Sequence, residues 1–255
     1  MNKITKFVIL DILRNKIVIA YTLLLAVLSW SVFSLEDNSI KGILTLLNLV
    51  LLYVPLVAII FSTIYVYNSS EFIELLISQP IKRKKIWLSL FSGLQLSLIV
   101  AFLVGAGIPI MCFAPLKLGG MLLLVGCIIS AVFVSIAFLG AICTRDKAKG
   151  IGIAILLWLY FALLFDGLVL FLVFQFADYP IEHAMMVLTG FSPIDLARIL
   201  ILLQMDVSAM MGYTGAVFKE FFGTDTGFVI TILVLCLWIA IPFMLSLRKF
   251  NRKDL

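Results

Sequence analysis

The sequence predicts an all-α integral membrane protein: six transmembrane helices, an amphipathic N-terminal interfacial helix, and a helical extracytoplasmic segment between helices five and six. Three observations predict it. Of 255 residues, 64% are hydrophobic and 13% charged, with a mean hydropathy of +1.22, beyond the apolar share of a water-soluble domain. Six apolar runs are each long enough to cross a bilayer, which takes about 20 helical residues. The cations gather at the ends of those runs rather than along one face, so the formal charge of +5 sets topology and gives no reason to expect nucleic acid.

Residues 1–16 come first. Ile4, Val8 and Ile12 share one helical face, and Lys3, Lys6, Asp11 and Arg14 lie broadly opposite, with Phe7 and Leu10 intruding on the polar arc. That pattern suits a helix lying along the inner leaflet, with a disordered basic leader as the alternative. The six spans are Ile17 to Leu35, Gly42 to Tyr67, Ile86 to Phe113, Leu118 to Cys143, Ile151 to Phe176 and Gly227 to Leu247. The first is longer than a signal h-region and is followed by no small-residue cleavage site, so it should stay as an anchor. Of the 19 Lys and Arg, 15 fall in the N-terminal segment, the loop after span two, the loop after span four and the tail. The remaining Lys41, Lys117, Arg198 and Lys219 fall on the other side, which places both termini in the cytoplasm.

Residues 68–85 form the most distinctive loop. Asn68 is placed to cap a helix whose Glu71 can reach back to it. Phe72, Ile73, Leu75, Leu76 and Ile77 carry more apolar surface than a solvated linker needs, and Pro80 stops the helix before Lys82, Arg83, Lys84 and Lys85. A cytosolic docking helix and an ordinary positive-inside loop both fit.

Residues 177–226, on the outer side, hold six acids (Asp178, Glu182, Asp195, Asp206, Glu220, Asp225) against two cations. Ser192-Pro193 with Asp195 reads as a helix start, and Leu196, Ile199, Leu200 and Leu203 recur at helical spacing before Gly212, Gly215 and Gly223 interrupt. A helical cap outside the membrane is expected, with a partly re-entrant hairpin as the alternative. Its acids, with Asp195, Arg198, Asp206 and Glu220 foremost, offer a surface for a periplasmic partner.

Chemistry is sparse. No GxxxxGK[ST] cradles nucleotide phosphates, and neither HExxH nor GxSxG occurs. No catalytic residue and no cofactor bound by this chain is expected. Cys112, Cys127, Cys143 and Cys236 stand singly within apolar runs and read as small core residues. Asp166 is the one ionisable residue inside a span; a buried polar contact and a lining role on a pathway both account for it. His183 with Met185, Met186, Met210 and Met211 offers soft ligands for Cu(I), against core packing by methionine, which the spacing favours.

The run EFIELLISQPIKRKKIWLSLFSG, with Glu71, Phe72, Ile73, Glu74, Leu75, Leu76, Ser78, Gln79 and Pro80, resembles the stretch of ABC-2-type transporter permeases that precedes a basic turn and the third transmembrane helix. The six-span plan, the amphipathic start and the basic tail fit that family along residues 1–255 as one transmembrane domain. Phe191 to Gly223 resembles the outer segment of the branch serving maturation of nitrous oxide reductase, with Ser192 where Asn is expected. The resemblance implies an ATPase-coupling role for the residues from Glu71 to Pro80. It also implies a homodimer in the bacterial inner membrane and two cytosolic ATPase subunits (NosF-like) carrying ATP and Mg. A periplasmic protein (NosD-like) and a copper chaperone (NosL-like) complete the partners implied. Three functions then compete: an ABC permease that moves a substrate, a scaffold that transmits force without a conduit, and an autonomous carrier or membrane enzyme. The last lacks the polar groups it needs.

Overall fold

The computed structural model describes residues 2–36, 38–176, 187–204 and 225–252. Among them the helices are α1 (Asn2–Leu13), α2 (Lys16–Leu35), α3 (Ser39–Asn68), α4 (Ser70–Ile77), α5 (Arg83–Phe113), α6 (Leu116–Cys143), α7 (Lys147–Gln175), α8 (Pro193–Gln204) and α9 (Asp225–Arg252). Six of these, α2, α3, α5, α6, α7 and α9, are long and apolar enough to span a membrane, and each overlays one run read from the sequence.

Short polar turns separate the spans because side chains there cap the next helix. Asn15 accepts from the Ile17 amide, Asn38 from Ile40 and Asp146 from Ala148, each at 2.9 Å. Asn68 departs from expectation. It is the last residue of α3, its Oδ1 accepts from Lys147 Nζ at 2.7 Å, and Ser69 stands at the start of α4 without a side-chain cap. α3 continues one residue further than the capping pattern predicts because its end is held by the α6–α7 turn.

α6 is the central pillar. In its most apolar stretch 78% of residues are buried, against 17% in α7 and α9, and α3, α5, α8 and α9 all pack on it. The outward faces of α2, α7 and α9 are left apolar, as with Leu156, Phe171 and Val229, which a lipid surround accepts. The same reasoning corrects the reading of the cysteines. Cys112, Cys143 and Cys236 are exposed and Cys127 half-buried; a lipid-facing position is as apolar as a core one, and Cys143, at the end of α6, lies beside Lys249.

Two spans carry a π turn. In α5 it covers Leu103–Gly107 just before Pro109, whose ring would clash with the carbonyl four residues back in a regular helix. Gly105 lies in that turn, and a Cβ there would stand 2.8 Å from the Thr22 carbonyl oxygen, so α2 can lie this close only against glycine. The second π turn, Tyr160–Leu164, lies in α7 directly before Asp166.

At the end of the bundle where α1 and α4 lie, Trp87 is buried, donates from Nε1 to Ser246 Oγ at 2.7 Å and stacks on Phe250 at 4.3 Å. Phe138 meets both Trp87 and Phe91 edge-on, so one aromatic cluster clamps α5, α6 and α9. α1 is docked rather than merely adjacent. Val8 and Ile12 are fully buried, and Val8 sits where a Cβ on Gly93 would be, 2.6 Å away.

Candidate functional site

Two constellations stand out, at opposite ends of the bundle. The first is built on α4. Ile73 is buried against the core, Leu76 is buried, Phe72 and Ile77 are half-buried, and Phe72 meets Phe7 of α1 with ring centroids 5.4 Å apart. Glu71, Glu74, Leu75, Ser78, Gln79 and Pro80 remain exposed, and Leu75 is 66% exposed. Glu71, Leu75 and Ser78 lie three and four residues apart and so form one stripe with Glu74 beside it. The helix is eight residues long and ends as Ser78 Oγ donates to the Leu75 carbonyl at 2.8 Å.

This platform is wired to neighbouring turns. Besides the Lys147–Asn68 bond, Tyr67 OH bonds both the hydroxyl and the carbonyl of Thr144. Tyr65 OH donates to Asp11 of α1 at 3.1 Å. A cavity of about 420 Å³ lies between α4 and the end of α6, with Glu74 on one wall and Arg145 on the other. Tyr67, Thr144 and Lys147 were not singled out from the sequence; the signal available was the tyrosine at the end of an apolar span.

The second constellation joins α7 to α8. Arg198 Nη1 lies 2.9 Å from Asp166 Oδ2 and 3.4 Å from Asp195 Oδ1. Ser192 opens α8 as its N-cap, with Oγ accepting from the Asp195 amide at 3.2 Å, as the Ser-Pro-x-Asp pattern predicts. Asp195 is 7% exposed. Burial, then the neighbouring Asp166 carboxyl, push its carboxyl up to about 7 against the opposing pull of Arg198 and Ser192. Asp195 Oδ2 and Arg198 Nε are buried without partners.

Asp166 is thus held by a polar contact, the first of the two readings its position allowed. Asp195 and Arg198, read from the sequence as an outward docking surface, face inward instead, because an in-span carboxylate needs a cation more than a solvated surface does. α8 packs on the ends of the spans. The Gly190 carbonyl accepts from Trp238 Nε1 at 3.2 Å, and Leu196 packs with Leu235 and Ile128. Asp206, Glu220, His183, Met185, Met186, Met210 and Met211 lie outside the described residues.

Six apolar spans around a buried pillar define a multi-pass membrane protein. The chain belongs to the ABC-2 transporter family: the model for ABC-2 family transporter proteins matches residues 7–255. It is 26% identical over 266 residues to a probable ABC transporter permease protein, NosY, of Stutzerimonas stutzeri, covering 95% of each chain. It is 28% identical over 227 residues to the protein of the same name from Pseudomonas aeruginosa strain PAO1, covering 79% of this chain and 81% of that one.

Proposed function

We propose that this permease, as a homodimer in the bacterial inner membrane with both termini cytoplasmic, couples ATP hydrolysis on two separate cytosolic ATPase subunits to substrate movement or periplasmic partner activation in copper-site assembly of nitrous oxide reductase. ATP and Mg belong to the ATPase; this chain contributes the lever. The observation that carries the reading is α4, whose Ile73 is anchored in the core and Leu76 buried while Leu75 stands exposed beside Glu71 and Glu74. An apolar anchor ringed by charge is the form of an interface hot spot. The nitrous oxide reductase assignment rests on the resemblance of Phe191 to Gly223 to that branch, and the relatives named NosY are ABC transporter permease proteins. The test is Glu74→Ala with Leu75→Lys, reading co-purification with the ATPase and ATP turnover. Both should fall at least tenfold; wild-type levels of both would refute the docking role.

The described geometry favours force transmission over a conduit for copper or sulfur. α8 is pinned to α7 by Arg198 and packs on α6, so motion at the cytosolic end reaches the outer segment through packed helices. A periplasmic protein (NosD-like), with a copper chaperone (NosL-like), is the recipient in this reading. Transport of copper or sulfur into vesicles holding only the permease and its ATPase would refute it. A permease for a lipid, drug or polysaccharide is the alternative cargo class, and purified reductase maturation assays separate it.

A further inference from the structure

At the end of the bundle shared with α4, but on the other side of Arg145, a cleft of about 710 Å³ opens between the last residues of α6 and α9, lined by Ile142, Cys143, Arg145, Arg248, Lys249 and Arg252. Its size falls within the roughly 300–1,000 Å³ of small-ligand sites. Four cations from two separate parts of the chain converge there, three of them arginine. Among the described residues no acid lies within pairing distance of these four. Asp146, next to Arg145 in sequence, is turned to cap α7. Lys249 Nζ donates to Cys143 Sγ at 3.1 Å, a weak acceptor that leaves its charge uncompensated. The carbonyl ends of α6 and α9 also lie here, and their partial negative charge is small against four full positive ones.

We propose that this cleft binds the phosphate of an anionic phospholipid headgroup. Guanidinium forks match phosphate oxygens in pairs, and basic clefts at the ends of spanning helices are where such headgroups sit. The source of the phosphate follows from α9. Ile241, Met244 and Leu245 are 53%, 60% and 44% exposed and lie on the helical face that continues to Arg248 and Arg252. An apolar track that ends in a cationic cleft fits acyl chains and headgroup together, whereas a free phosphate would use only the cleft. This site is separate from the ATPase-docking stripe on α4 and does not depend on it.

The test uses the full chain in detergent and native mass spectrometry of bound adducts, with dioleoyl phosphatidylglycerol, dioleoyl phosphatidylcholine, glycerol 3-phosphate and inorganic phosphate as probes. Phosphatidylglycerol should bind and phosphatidylcholine should not. Arg145→Gln with Arg248→Gln and Arg252→Gln should weaken binding on the order of a hundredfold, at about fivefold per cation. The same three positions changed to Lys should recover only part of it, since the charge returns without the paired donors. Lys3→Gln with Lys6→Gln and Lys16→Gln, which removes as much charge from the same end, should leave binding unchanged. Equal loss in both glutamine variants would mean diffuse attraction and overturn the site. Retention of the tail-less phosphates without a lipid adduct would overturn the lipid assignment. Lipid binding confined to monomer and absent from dimer would give the α9 track to a second copy, and overturn it too.

Discussion

Asp166, Asp195 and Arg198 set the residue-scale balance at the outer end. Two carboxyls and one guanidinium form a neutral cluster only while one proton stays on the pair, which is why burial raises Asp195 to about 7. The sign of the pH dependence follows. The unfolded carboxyl releases its proton near 3.8 and the folded one near 7, so the folded state holds more protons between these values. The contribution of this group is full below about pH 4, declines through that window and is gone above it. We predict that thermal stability in detergent falls from pH 5 to pH 7.5 and that Asp195→Asn flattens the slope; an unchanged slope would remove Asp195 from the account. Arg198→Met, which strands both carboxyls, should cost about 1–3 kcal/mol, below the figure for a fully buried pair because Arg198 and Asp166 are about a third exposed. Asp166→Asn should restore part of that loss in the double variant, measured as a double-mutant cycle.

At the scale of elements, the aromatic clamp around Trp87 ties α5 to α6 and α9 next to α4. Trp87→Ala removes a buried indole and the partner of Ser246, and should cost about 3–5 kcal/mol, read from unfolding of the purified chain. Gly93→Leu acts elsewhere. It drives a side chain into Val8 and should lift α1 from α5 while the spans stay folded, which protease accessibility near the N-terminus would report. If α1 remained protected, its docking on α5 would not rest on this contact. The π turn before Asp166 belongs with these elements, since the residue following it carries the chain into the charge cluster with α8.

Across the whole molecule, the uneven distribution of cations makes a topological prediction. A reporter within 145–150 or after Asp254 should read as cytoplasmic and one near Gly212 as periplasmic, and a periplasmic signal from the tail would refute the six-span arrangement. The acidic outer segment should bind a periplasmic partner less tightly as salt rises, because its acids other than the buried Asp195 attract at long range. Changing Met185, Met186, Met210 and Met211 to Leu keeps apolar volume and removes the sulfurs. Reductase maturation is expected to survive that change. Its loss with the complex intact would make the sulfurs copper ligands.

Span number, helix positions, the amphipathic face of α1 and the N-cap of α8 were all legible in the sequence, because apolar length, helical period and capping residues are local properties. Residues Glu71 to Pro80 were legible as a segment for the same reason. Which side of α4 is anchored and which exposed, Asn68 reaching Lys147 instead of capping α4, and the inward turn of Arg198 and Asp195 were decided only by tertiary structure. Each depends on a partner far away in the chain, 79 residues for Asn68 and 32 for Asp166. The seating of α8 has the same origin. Its apolar period predicts a helix but not its neighbours, and the need of an in-span carboxylate for a cation, with Trp238 donating to the Gly190 carbonyl, holds it against α7 and α9.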